Sequence, residues 1–289
     1  MAGFRWLTNA INLGRHNPKA IFGGAGLSLL LMLVPSLLTV PLQIGGTPSV
    51  TRMLVGMAIS VVLGLLLAPL YGGLLGIIDA AERGRAAKAT DVFAPYRSGG
   101  GAGRMIGFVV AMLGVYVLVL FVIAGVAGTG IFHWYMQILA AQGKPTPELM
   151  QLPAGFGTAV ALLMVFWLLL MGIYAVGFGQ VALAGRSPLG AVKDGFFGSI
   201  KNLLPLLVMA ISLCVAFLLL ALGFGILGAI AALVGKLAGL WLTILLLIPI
   251  YVALVLVLYV VMFGVMYFMW RDICGGNDTS PQEVAAMTA

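Results

Sequence analysis

Three tyrosines, three arginines and two aspartates recur at fixed spacings in this chain and are the residues best placed to do chemistry. Tyr71, Tyr174 and Tyr259 each stand twelve positions before an arginine: Arg83, Arg186 and Arg271. Each tyrosine is followed five residues later by a glycine, Gly76, Gly179 or Gly264. Eight residues past the first two arginines come Asp91 and Asp194, each with a phenylalanine two positions on, Phe93 or Phe196. An arginine at the end of an apolar helix sits where snorkelling and headgroup contact are cheap. A tyrosine three turns deeper needs a partner for its hydroxyl in another helix or in water, and a glycine beside it permits close helix approach. The set therefore serves either helix packing and interfacial anchoring or a pocket at one end of a bundle.

Other reactive groups are sparse. His133 and Met136 have i, i+3 helical spacing, but Phe132-His-Trp-Tyr135 reads as an interfacial aromatic belt. His16 falls on the opposite side of the membrane in the topology derived below, so the two histidines cannot share a metal. Cys214 lies inside an apolar run and Cys274 beyond one, with no disulfide or metal spacing. The run Ser98-Gly-Gly-Gly-Ala-Gly103 lacks the Lys-Ser/Thr of a phosphate-binding loop and reads as a connector. All eight acidic residues lie in loops, tails or helix ends, with Asp79 the deepest. A coupled carrier would place a charge near the bilayer centre, and hydrolysis would need a nucleophile–base pair or paired carboxylates. The sequence thus speaks against an enzyme and against a proton- or ion-coupled transporter, and it calls for no cofactor and no metal.

The elements that must position these residues follow from composition. Of 289 residues, 62% are hydrophobic and 8% charged, against about 25% charged in a soluble domain. Six apolar runs, near 21–43, 53–78, 105–131, 155–184, 203–234 and 240–269, are each long enough to cross a hydrocarbon core of about 30 Å. They lack the alternation of barrel strands. The first run is too long for a signal-peptide core and is kept as a helix. The expected fold is an all-α polytopic membrane protein with six transmembrane helices.

Twelve of the 15 Lys and Arg residues fall in segments 1–20, 79–104, 185–202 and 270–289; the alternate connections hold only Arg52, Lys144 and Lys236. This positive-inside asymmetry places both termini in the cytoplasm. The net charge of +7 then reads as topology plus attraction to anionic lipids at the cytoplasmic face of the phospholipid bilayer. With no soluble domain to carry a binding surface, nucleic acid is not an expected partner.

The spacings above describe an internal repeat: units of about 1–87, 88–189 and 190–275, each an amphipathic segment followed by a helix pair, and a polar tail over 276–289. Asn9 and Asn17 match the spacing of Asp194 and Asn202, while the third copy has no matching aspartate after Arg271. In the first unit Phe4, Trp6, Leu7 and Ile11 alternate with Arg5, Asn9 and Arg15 as in an interfacial helix. Segments 88–97 and 190–201 are expected to lie similarly, with Phe93, Tyr96, Phe196 and Phe197 toward the acyl chains. Pro35, Pro41, Pro69 and Pro249 fall inside the apolar runs, where they kink a helix or open a transport site. Trp134, Tyr135, Ile138 and Leu139, followed by Lys144-Pro-Thr-Pro, predict a short helix on the periplasmic face.

Residues Pro69-Leu-Tyr-Gly-Gly-Leu-Leu-Gly76, Asp79-Ala-Ala-Glu-Arg-Gly-Arg85 and Asp91-Val-Phe-Ala-Pro-Tyr-Arg97 resemble a proteobacterial family of uncharacterised six-helix inner-membrane proteins of the Burkholderia and Xanthomonas type. Val92 and Tyr96 stand where that pattern usually has Leu and Phe. A more distant likeness is to other repeat-built families, such as the membrane domain of glycerophosphodiester phosphodiesterases. The resemblance implies the fold and a bacterial inner-membrane location; it implies no catalytic residue. Two functions fit: a non-enzymatic scaffold or accessory protein that binds lipid, a membrane-protein partner or a second copy of itself, or an uncoupled permease for a small or amphipathic molecule. Either would use Tyr71, Tyr174, Tyr259, Arg83, Arg186, Arg271, Asp91 and Asp194 as its pocket or interface.

Overall fold

A computed structural model describes residues 2–15, 17–44, 50–141 and 151–275, and among them every regular element is helical. The order is α1 (Ala2–Asn12), α2 (Pro18–Ile44), α3 (Val50–Glu82), α4 (Ala102–Ala127), α5 (Gly130–Ala140), α6 (Phe156–Ala182), α7 (Pro188–Lys201), α8 (Leu203–Ala238) and α9 (Leu240–Cys274). Short 3-10 helices at Leu13–Arg15 and Ala89–Tyr96 join them. Six of these helices, α2, α3, α4, α6, α8 and α9, are long and apolar enough to cross a membrane. The shortest, α4, has 26 residues and spans about 39 Å, beyond the ~30 Å hydrocarbon core. Helices are the expected solution because a lipid-facing backbone must satisfy its own polar groups.

The prolines do not unwind these helices: α2, α3 and α9 continue through Pro35, Pro41, Pro69 and Pro249. Near two of them, side chains bond to the helix carbonyls. Thr39 Oγ1 donates to Pro35 O at 3.0 Å. The Tyr96 hydroxyl donates to Leu66 O at 2.6 Å, next to the Leu65 carbonyl that Pro69 leaves without a helical donor. The run expected over 105–131 is divided: Gly128, at φ +84°, ends α4 and its N–H bonds back to Ala124 O. Only glycine takes that conformation cheaply, and α5 begins two residues later. The helix α5 matches the short segment expected around Trp134 and Tyr135; Lys144-Pro-Thr-Pro, His16 and the tail 276–289 lie outside the described residues.

Three returning helices, α3, α6 and α9, touch one another and form the centre. Each outgoing helix leans on a returning helix of another pair: α2 on α9, α4 on α3 and α8 on α6. The short segments follow the same order. The 3-10 helix Ala89–Tyr96 packs on the α2–α3 hairpin, α7 on the α4–α6 pair, and α1 on the α8–α9 hairpin.

The buried core occupies one end of this bundle. It comprises the last third of α3, α6 and α9, the first turns of α2, α4 and α8, and the inner faces of α1, α7 and the 3-10 helix. Glycines let these parts meet. A methyl at Gly73 would collide with the Val92 carbonyl, one at Gly172 with Ser199 Oγ, and one at Gly3 with the Pro205 carbonyl. The glycine five residues after each tyrosine does not act uniformly. A Cβ at Gly264 would lie 2.9 Å from Ala10 Cβ and one at Gly179 would strike the Trp270 ring, but Gly76 faces open space. Close approach in α3 is instead made at Gly72 and Gly73, one turn nearer Tyr71.

Away from this end the helices present apolar side chains outward. Leu37, Met57, Leu118, Phe121, Met164, Leu218, Leu222 and Leu245 are all exposed, as surfaces meeting acyl chains should be. The amphipathic segments are only partly interfacial. Phe4, Ile11, Phe93, Tyr96, Phe196 and Phe197 are exposed as expected, whereas Trp6 and Leu7 are buried against α8 and α9. Burying a leucine such as Leu7 from water contributes about 1.5–3 kcal/mol, so α1 is a packed component of the bundle as well as a surface helix.

Candidate functional site

Two layers of functional side chains lie in the packed end. The deeper layer is aromatic. Tyr71, Tyr174 and Tyr259 come from the three central helices and converge through the phenylalanines one turn on. Tyr71 lies 5.4 Å from Phe263 and 6.3 Å from Phe178, ring centroid to centroid. Tyr174 stacks on Phe178 at 5.6 Å, Tyr259 tilts over Phe263 at 4.8 Å, and Phe108 of α4 closes the group at 5.8 Å from Phe178. Such offset and edge contacts each add about 0.5–1.5 kcal/mol beyond area burial. The repeat spacing brings together tyrosines that are 85 or more residues apart in sequence.

Two of their hydroxyls are poorly served among the described residues. Among the described residues the Tyr71 hydroxyl donates to Met32 Sδ, at 3.5 Å. The Tyr259 hydroxyl oxygen is buried without a hydrogen-bond partner among the described residues; Ser28 faces it but donates to Gly24 O at 3.0 Å. An orphaned buried hydroxyl costs about 1–3 kcal/mol. The indole N–H of Trp270 is likewise buried and unpartnered among the described residues.

The outer layer is ionic, and its centre is a residue outside the repeat pattern. Asp79, 7% exposed, is held by Arg83 Nε at 2.8 Å, by Arg85 Nη2, and by the Tyr267 hydroxyl of α9 at 3.2 Å. Three donors on one carboxylate satisfy the demand of a buried charge. Arg271 Nη1 reaches Glu82 Oε2 at 3.7 Å while its guanidinium lies over the Tyr267 and Phe268 rings, 5.5 and 5.0 Å from their centroids. The end of α3 is thereby tied to the end of α9.

The expected arginines and aspartates are divided between tasks. Arg83 and Arg271 join this ionic layer. Arg186 instead pairs with Asp194, Nε to Oδ2 at 2.8 Å and Nη2 to Oδ1 at 3.4 Å; that hydrogen bond raises the guanidinium above its already high ordinary pKa. Asp91 does not repeat the pairing. Its carboxylate accepts the Lys88 backbone N–H at 2.8 Å and caps the start of the 3-10 helix. Sequence spacing alone missed Asp79, Glu82, Arg85 and Tyr267. A signal was available: Asp79 and Tyr267 each stand eight residues after a repeat tyrosine, and Asp79 and Arg83 have i, i+4 spacing.

A small polar cleft opens beside this layer. It holds about 200 Å³ and is lined by Arg5, Trp6, Asn9, Phe268, Arg271 and Asp272. Trp6 Nε1 donates to Asp272 Oδ2 at 2.9 Å, and Arg5 Nη2 lies 3.9 Å from the same oxygen. At the opposite end, Leu38, Ala58, Ile59, Val62 and Leu63 line an apolar cleft of about 520 Å³ between α2 and α3. His133 is exposed on α5, and among the described residues no three His, Cys, Asp or Glu side chains converge as metal ligands would. Comparisons with protein-family models, with curated proteins and with solved structures find no match to this chain. Its own residues establish an integral membrane protein, a multi-pass bundle of six apolar helices in contact with the lipid bilayer.

Proposed function

We propose that this chain is a non-enzymatic scaffold or accessory protein of a bacterial inner membrane that binds lipid, both termini facing the cytoplasm. The observation that carries the reading is the contrast between the two ends of the bundle. One end is sealed by the aromatic layer and by the ionic ties of Asp79 and Arg271. The other presents apolar flanks and an apolar cleft of about 520 Å³ suited to acyl chains. Basic side chains collected at the sealed end favour the cytoplasmic leaflet and its anionic lipids. The likeness of residues 69–97 to proteobacterial inner-membrane proteins supports the same location. The cyclic packing of each short segment on a helix pair other than its own supports three repeat units, 1–87, 88–189 and 190–275.

A second reading, an uncoupled permease for a small or amphipathic molecule, is favoured by one observation: the unpartnered Tyr259 hydroxyl within the aromatic layer. Reconstitution discriminates the two. Native mass spectrometry of the purified chain should show retained phospholipid, and liposomes carrying it should pass glycerol and urea no faster than empty ones. Rapid solute equilibration would replace the scaffold by the permease. Absence of any retained phospholipid would remove the lipid-binding reading.

A further inference from the structure

We propose that the cleft between α1 and the end of α9 is a headgroup site for the phosphodiester of an anionic phospholipid; this rests on the lipid-binding reading and names its ligand and place. The cleft's six lining residues bring two guanidiniums, one carboxylate and one side-chain amide to a space of about 200 Å³. Neither guanidinium closes a tight ion pair among the described residues. Charge-assisted pairs close to about 2.7–2.9 Å, yet Arg271 Nη1 stands 3.7 Å from Glu82 and Arg5 Nη2 stands 3.9 Å from Asp272. Asp272 is already engaged by the Trp6 indole at 2.9 Å, which turns that carboxylate toward α1, while Arg5, Arg271 and Asn9 line the same cleft with donor groups that suit an incoming anion. The lining carries one net positive charge, which matches the single negative charge of a phosphodiester better than the two of a phosphomonoester.

The surroundings point to a lipid rather than to a soluble phosphate. Arg5 and Asn9 are four residues apart on one stripe of α1, and on the neighbouring stripe Phe4 and Ile11, seven apart, are 55% and 62% exposed. An apolar stripe beside a cationic one holds a helix at the headgroup–acyl boundary. Arg271 ends the last membrane-crossing helix, at the depth where arginine meets headgroup oxygens. Phosphate bound in the cleft would therefore have its acyl chains running along Phe4 and Ile11.

The test is native mass spectrometry of the full chain in a nonionic detergent, titrated with phosphatidylglycerol or with zwitterionic phosphatidylcholine. The wild-type chain should retain phosphatidylglycerol in preference to phosphatidylcholine, and Arg5→Gln should weaken phosphatidylglycerol about tenfold, as loss of a charge-assisted contact does. Arg5 suits this test because its side chain is 66% exposed and, among the described residues, holds no pair closer than the 3.9 Å to Asp272. Arg271→Gln, checked for intact folding by its melting curve, should weaken the lipid at least as much. Lys193→Gln, which removes an exposed charge on α7, should leave affinity unchanged. Equal losses in Arg5→Gln and Lys193→Gln would mean diffuse attraction and overturn the site. Displacement of the lipid by millimolar inorganic phosphate would assign the cleft to a soluble anion and overturn the headgroup reading. Phosphatidylglycerol binding that ignores both arginine substitutions removes this site alone, whereas failure of every phospholipid to bind removes the underlying lipid-binding function.

Discussion

Asp79→Asn should open the tie between the ends of α3 and α9. The substitution keeps the shape of the side chain but removes the charge that Arg83, Arg85 and the Tyr267 hydroxyl address. Breaking a fully buried ion pair costs about 3–5 kcal/mol because the remaining charge is stranded. Here the carboxylate is buried but the Arg83 and Arg85 side chains are 42% and 61% exposed, so both guanidiniums regain water and the cost is discounted to about 1–3 kcal/mol. At about 2–4 °C per kcal/mol for a chain of this size, that is a fall in Tm of about 2–12 °C. The assay is a thermal melt in detergent followed by the fluorescence of Trp6 and Trp270, which lie at the same end of the bundle. Tyr267→Phe alone should cost about 0.5–1.5 kcal/mol. In the Asp79→Asn background it should cost much less, since the hydroxyl has lost its charged acceptor. Asp194→Asn, which unpairs only the solvent-exposed Arg186, should leave the melt almost unchanged. Strictly additive effects of Asp79→Asn and Tyr267→Phe, or a melt of Asp79→Asn no lower than that of Asp194→Asn, would refute an interhelical role for this carboxylate.

Three further outcomes are expected. Gly73→Val should unseat the 3-10 helix Ala89–Tyr96, because any Cβ there meets the Val92 backbone; limited proteolysis between residues 83 and 101 should accelerate, and an unchanged cleavage rate would contradict the close packing. Tyr259→Phe removes an unpartnered buried hydroxyl and should leave stability equal or raise it by about 1 kcal/mol, so a lowered melting temperature would reveal a partner for that oxygen. In a chain freed of its two native cysteines, Arg97→Cys should react only with reagent added from the cytoplasm and Lys144→Cys only from the periplasm; reversed labelling would invert the proposed topology.

The membrane-crossing helices were legible because hydrocarbon imposes a single rule, a long apolar run with few charges, and that rule is written locally. The division between α4 and α5 was missed because Gly128-Thr129-Gly130 is short, uncharged and without proline, so it does not interrupt the apolar run around it; the left-handed backbone at Gly128 marks the break. The tyrosine spacing led to side chains that meet in space, since a repeated interval along similar helices reproduces the same depth. The same logic failed for the aspartates. Asp91 is the third residue of a 3-10 helix and its carboxylate folds back onto the Lys88 N–H as a cap, while Asp194 lies inside an α-helix and reaches Arg186. Trp6 and Leu7 could not be assigned from α1 alone, for an amphipathic helix has the same pattern whether its apolar stripe meets acyl chains or other helices. Pairing of Asp79 with Tyr267 spans 188 residues, a distance over which composition carries no register.

The position of α1 has a consequence for how the molecule is made. Synthesis delivers α1 about 190 residues before α8, yet the surface that buries Trp6, Leu7 and Ala10 belongs to α8 and α9. Until α8 and α9 are made α1 has no docking place, and its basic, half-apolar stripe suits it to wait on the bilayer surface. A chain halted before residue 240 would hold α8 but lack α9, leaving those three side chains only partly covered and the α2–α3 hairpin without α9 against α2. Seating of α1 thus reports formation of the α8–α9 hairpin, making Trp6, Leu7 and Ala10 the side chains whose burial distinguishes copies that hold that hairpin from copies that lack it.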